Sequence, residues 1–154
     1  MKLENTLKQE LVFITDGVEG TRGLYGQVAH FLKGKGVIGD EKLVKRLLIK
    51  RESLHSTAIG RGAATPHIYS PEFASFTVAV VLIRQGLDYL APDGQPVYLS
   101  FLIMSDDRDV GCHLKTLAHL ARLVSQTDVV EAARGAADPA ALMQILLEKE
   151  RALS

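Results

Sequence analysis

Histidine is the side chain that can act as a neutral nucleophile near pH 7 and carry a proton afterwards. This sequence holds five: His30, His55, His67, His113 and His119. His67 differs from the others by context, because it follows Gly60-Arg61-Gly62-Ala63-Ala64-Thr65-Pro66. Small residues keep the approach to a ring open and let backbone N–H groups come close to a ligand. Proline fixes the chain just ahead of the ring. The pattern presents one imidazole rigidly on a loop. Taken alone it also fits an ordinary turn carrying a solvated histidine.

Arg51 is the second unusual residue. It lies on the apolar stripe of its helix, following Val44 and Leu47 at helical spacing. A charge there needs a partner or a place at the rim, because an unpaired buried charge is costly. Three answers are open. Arg51 is favoured as a cation at a helix C-terminus, it pairs with Glu52 or another carboxylate, or its planar fork serves a phosphate. His113 follows Gly111-Cys112 and stands in the first turn of a helix, where free N–H groups and the positive dipole end suit an anion. His119 is about 600° further around that helix, on another face, and is read as exposed or packed.

Other patterns lead nowhere. Gly60-Arg61-Gly62 lacks the third glycine and the opening helix of a dinucleotide fingerprint. Asp106, Asp107 and Asp109 before Cys112-His113 do not have calcium-loop spacing, and adjacent Cys-His is poor zinc geometry, so no metal and no cofactor is assigned. Lys42, Lys45, Arg46 and Lys50 form a basic patch that reads as a solvated helix face, or as a surface attractive to an acidic or phosphorylated partner.

Something must hold these side chains in place. The chain has 154 residues, 47% hydrophobic and 23% charged, enough for one domain with a real core. Its 18 Lys and Arg balance 18 Asp and Glu, unlike a general nucleic-acid or anionic-membrane binder. The lone Cys112 forms no internal disulfide and fits a reducing, cytoplasmic setting. No apolar run reaches the length of a membrane span, and the polar start Met1-Lys2-Leu3-Glu4-Asn5 is no signal peptide.

Leu11–Ile14 reads as a strand closed by Asp16-Gly17. Thr21 is the expected cap of a helix with Leu24, Val28, Phe31 and Leu32 on one face, ended by Gly34 and Gly36. Asp40 caps a second helix through Arg51. The Ser-, Thr- and Gly-rich stretch from Leu54 to Pro66 is expected to be strand and loop. Phe76–Ile83 and Val97–Met104 are continuous apolar runs, hence strands covered on both faces, with a turn at Ala91-Pro92-Asp93-Gly94. A helix is expected from Cys112 or His113, with Leu114, Leu117, Ala118, Ala121 and Val124 inward. A short helix spans Asp128–Arg134, and Asp138-Pro139 starts the last, with Leu142, Ile145 and Leu146 buried. These elements imply a sheet with helices on both sides.

Arg51-Glu52-Ser53-Leu54-His55-Ser56-Thr57-Ala58-Ile59-Gly60, followed by Gly62-Ala63-Ala64-Thr65-Pro66-His67, resembles the signature of the fructose/mannitol-type enzyme IIA domains of the bacterial phosphoenolpyruvate:sugar phosphotransferase system (PTS). His113-Leu114-Lys115-Thr116-Leu117-Ala118 and Leu120-Ala121 resemble the family's second-histidine helix. The resemblance runs from about the first helix to the C-terminal one and is poor before Gly20. Thr65 stands where the family usually has an aliphatic residue, and Ile68 where it often has a small one; both bear on partner fit.

The resemblance implies an α/β fold, a mixed sheet sandwiched between helices in a single three-layer EIIA type-2 domain over residues 1–154. It implies that His67 accepts a phosphoryl group from phosphorylated HPr or an HPr-like carrier, as a tele-phosphohistidine. His113 and Arg51 then stabilise the phosphate, with no metal or cofactor. The onward partner is a IIB domain of a sugar transporter. Because the chain carries no IIB or IIC domain, a nitrogen-regulatory IIA, whose phosphorylation controls other proteins, is the alternative. A non-catalytic interaction module of the same fold is the third reading, and the joint presence of His67, His113 and Arg51 speaks against it. Neither nucleic acid nor direct membrane insertion is implied.

Overall fold

The two long apolar runs form the middle of a mixed sheet. The computed structural model describes residues 1–153. Its strands are β1 (Val12–Thr15), β2 (Ala58–Gly60), β3 (Ala63–Ala64), β4 (His67–Tyr69), β5 (Thr77–Leu87) and β6 (Val97–Ser105). Its α-helices are α1 (Gly20–Gly34), α2 (Glu41–Leu54), α3 (Val110–Gln126), α4 (Val129–Arg134) and α5 (Pro139–Arg151). The strand order is β1-β5-β6-β3-β2, with β4 also paired to β6. β5 and β6 are antiparallel, whereas β1 runs parallel to β5, and β3 and β4 run parallel to β6.

Alternation along β5 explains why its sequence has no polar face. Ala79, Val81 and Ile83 pack into a core with Leu24, Val28 and Leu32 of α1 and Val44 and Leu48 of α2. Val78, Val80 and Leu82 face a second core with Leu120 and Leu123 of α3, Val129 and Ala133 of α4, and Leu142 and Leu146 of α5. Helices therefore cover both sheet faces, giving three layers.

Capping fixes where the helices turn. The Asp40 carboxylate accepts from Leu43 N at 3.0 Å, and that of Asp138 from Ala141 N at 2.7 Å with Pro139 in the first turn. After α1, Gly36 (φ +74°) donates to Lys33 O and Val37 N donates to Leu32 O, closing the helix in a Schellman arrangement.

Two expectations need correction. α1 begins at Gly20 with no side-chain cap, so Thr21 lies within its first turn rather than preceding it. α3 begins at Val110, and its buried face is His113, Thr116, Leu120, Leu123 and Val124. Leu114, Ala118 and Ala121 are exposed. Leu117 and Val124 do pack inward as expected, but counting apolar residues misplaced the rest of the stripe because its first two turns are led by polar side chains, which find partners inside the fold. Among the described residues no helix is long and apolar enough to cross a membrane.

Candidate functional site

β3 and β4 lie along the same edge of β6, joined by Thr65-Pro66. Thr65 N donates to Thr57 O at 2.9 Å, and Ile103 N of β6 donates to Pro66 O at 2.9 Å. The chain on both sides of Pro66 is thus pinned, and His67 opens β4 opposite Ile103. The half-buried His67 ring has Nδ1 3.0 Å from Thr65 O. A carbonyl only accepts, so Nδ1 carries the proton and Nε2 carries the lone pair.

His113 projects from the first turn of α3 and is 1% exposed. Its ring centroid is 6.4 Å from that of His67, with the planes at 76°. Tyr69 stacks on it at 4.3 Å, and Phe76 meets it edge-on at 5.6 Å. Burial is the main cause pushing the His113 pKa down; the neighbouring His67 adds to this and Asp109 opposes it. Neutral His113 is therefore favoured at rest. Its Nε2 is 2.6 Å from Ser105 Oγ, at the end of β6.

His67, Arg51, Leu47, Lys50, Leu54, Ile68 and Tyr69 line one open groove of about 290 Å³. Within it the Arg51 guanidinium donates from Nη1 to His55 O at 3.1 Å, closing the carboxyl end of α2. Glu52 is not its partner. The Glu52 carboxylate accepts from Thr57 N at 2.7 Å, Thr57 Oγ1 at 2.7 Å and the Tyr25 hydroxyl at 2.5 Å. Arg51 and His67 share the groove, while His113 approaches His67 from the α3 side.

The remaining candidates are occupied elsewhere. His30 lies 3.4 Å from Glu41 on the surface. His119 meets Glu150 at 2.6 Å, and Glu150 also accepts from Leu3 N, tying the N-terminal segment to α5. Asp106 accepts from Arg108 N and pairs with its guanidinium, so that acidic stretch shapes a turn. Among the described residues no group of three or more His, Cys, Asp or Glu side chains is arranged to hold a metal ion.

The residue-type reading missed Ser105, Tyr69 and Phe76. One signal was available: Tyr69 stands two residues after His67 on a strand, hence on the same face. Ser105 offered only its position as the polar end of an apolar run.

The fold is that of a phosphotransferase-system component. Residues 5–149 match the family described as phosphoenolpyruvate-dependent sugar phosphotransferase system, EIIA 2, and the chain belongs to that family. The match reaches back past Gly20, further than the motifs alone carry it. A nitrogen regulatory protein of Bradyrhizobium diazoefficiens is 34% identical over 107 residues, covering 70% of each chain. The fructose-specific EIIABC component of Bacillus subtilis is 24% identical over 98% of this chain, which spans 24% of that longer protein. The crystal structure of nitrogen regulatory protein IIA-Ntr from Neisseria meningitidis superposes with a TM-score of 0.82 at 27% identity, over 94% of this chain and 98% of that one. IIA mannitol from Escherichia coli shares the fold, with a TM-score of 0.76 at 16% identity over 92% and 99%.

Proposed function

We propose that this chain is a phosphocarrier that accepts a phosphoryl group on His67 from HPr or an HPr-like protein and hands it to a IIB component. The observation that carries this reading is the Nδ1–Thr65 hydrogen bond, which leaves the His67 Nε2 lone pair as the nucleophile. In the transfer, Nε2 forms a bond to phosphorus as the donor's N–P bond breaks, and that electron pair stays with the donor ring. Nδ1 keeps its proton on the Thr65 carbonyl. The protein contributes mainly position and charge. Arg51 and Lys50 supply positive charge in the groove, and the His113 ring lies 6.4 Å from that of His67. A relative's structure supports the onward step: the complex of enzyme IIA mannitol with phosphorylated IIB mannitol from Escherichia coli has this fold, with a TM-score of 0.73 at 15% identity.

The test is phosphorylation by phosphoenolpyruvate, enzyme I and HPr. His67→Ala is expected to take up no acid-labile phosphate. Uptake on a histidine in that variant overturns the assignment.

A second reading is favoured by the relatives named nitrogen regulatory protein, among them those of Bradyrhizobium diazoefficiens and Pseudomonas aeruginosa. Here the phosphorylated state itself is the output, sensed by a docking protein. Mixing the phosphorylated chain with candidate IIB proteins separates the two. Rapid loss of label to a IIB protein supports the relay, and retention across the set supports regulation.

A further inference from the structure

Ser105 is fully buried at the end of β6 and touches two groups that decide its proton. Its Oγ is 2.8 Å from Asp106 O, a pure acceptor, so the hydroxyl hydrogen points there. The same oxygen is 2.6 Å from His113 Nε2 and must therefore accept from it. That fixes His113 as the Nε2–H tautomer and puts its lone pair on Nδ1. Among the described residues that buried Nδ1 has no hydrogen-bond partner. A buried acceptor without a donor costs free energy, and in a native fold calls for an explanation. Tyr69 and Phe76 restrain the ring, so it is held in place with one nitrogen spent and one idle.

We propose that Ser105 is a positioning residue for phosphoryl transfer: by holding His113 through Nε2–H, it reserves Nδ1 for the phosphoryl oxygens, and Nδ1 takes a proton from solvent as the phosphoryl group arrives on His67. This rests on His67 being the acceptor. At rest the ring stays neutral among His67 and Tyr69 of β4, Phe76, Ser105 of β6 and Asp109 before α3, of which only Asp109 brings a negative charge. A phosphoryl dianion beside it reverses the balance and favours imidazolium. The proton turns Nδ1 from an acceptor into a charge-assisted donor.

Nitrogen-15 NMR of histidine-labelled protein reads this directly. At pH 8 the resting wild-type chain is expected to show His113 as a single Nε2–H tautomer. After phosphorylation on His67, His113 is expected to show both nitrogens protonated. Ser105→Ala is expected to mix the tautomers, slow transfer about tenfold and shift the pH profile of the rate. Ser105→Thr, which keeps the hydroxyl, is expected to restore all three. A resting Nδ1–H tautomer, or Ser105→Ala with unchanged tautomer and pH profile, overturns the inference. A chain that takes no phosphate overturns the functional reading with it. A chain phosphorylated on His67 with His113 neutral, or with Nε2 turned to the phosphate, overturns the Ser105 inference alone.

Discussion

The Arg51 guanidinium has two calls on it. It closes the end of α2 through His55 O, and it lines the groove beside His67. A lysine keeps the helix-end charge but lacks the planar fork that grips phosphate at two points. Arg51→Lys is therefore expected to cut the rate of phosphoryl transfer about 10- to 100-fold while the melting temperature moves by only about 1–3 °C. Rapid-quench transfer assays and a thermal melt check both. A proportionate loss in both measurements would make Arg51 a capping residue only. At this scale the sequence was informative where chemistry sits on a side chain. Type and spacing singled out His67, Arg51 and His113, and the fold sets the His113 ring 6.4 Å from that of His67 and Arg51 in the same groove as His67. The partners that set their protonation were not. One is a backbone carbonyl, Thr65 O, and the other is a serine eight residues before His113, brought against it only by the turn from β6 into α3.

The segment from α2 to β4 is held from within by Glu52. Its carboxylate binds Thr57 and the Tyr25 hydroxyl, which itself lies 3.1 Å from the buried Tyr89 hydroxyl. Burial, together with the negative Glu52 beside it, keeps Tyr25 protonated far above the ordinary tyrosine range. Thr57 in turn receives Thr65 N, and Thr65 O orients His67. A run of hydrogen bonds thus joins the last turn of α2 to the Nδ1 proton of His67. Replacing Glu52 with Gln removes the charge and leaves one oxygen in place of two, so if Thr57 N keeps its acceptor at least one of the Thr57 and Tyr25 hydroxyls must turn from donor to acceptor. Glu52→Gln is expected to cost about 2–3 kcal/mol in urea unfolding and to lower transfer activity in the fraction that remains folded. The glycines on this segment answer to backbone geometry as well as to access. Gly60, Arg61 and Gly62 all have positive φ, at 87°, 56° and 84°, and a Cβ at Gly62 would lie 2.9 Å from Val130 Cγ1. The sequence shows small residues near His67; the tight β2–β3 turn they make is visible only in the fold.

Across the whole molecule, what was legible followed the strength of the periodic signal. β5 and β6 announce themselves as apolar runs, and the Asp40 and Asp138 caps locate two helices. The inward face of α3 did not, because it begins with His113 and Thr116, whose partners lie on other elements or on the helix backbone. The even charge balance now bears on docking. With 18 basic and 18 acidic residues the chain exerts little net long-range pull, so on the proposed function partner selection falls on the surface close to His67. That surface is apolar for a monomer rim. Leu54 (71% exposed) and Tyr69 (39%) line the groove, and Val110 (46%) and Leu114 (62%) flank His113 on α3. Single exposed apolar residues are ordinary, but several near the two histidines are what the proposed phosphocarrier role asks of a contact surface. Leu54 ends α2 and buries little within the chain, so changing it leaves the core intact. Leu54→Glu is expected to leave the melting temperature unchanged within about 2 °C and to raise the KM for the phosphorylated donor about tenfold, with kcat nearly unaltered. Steady-state transfer at varied donor concentration separates the two constants. An unchanged KM would place the docking surface elsewhere, and a fall in kcat alone would move Leu54 from docking to the transfer step.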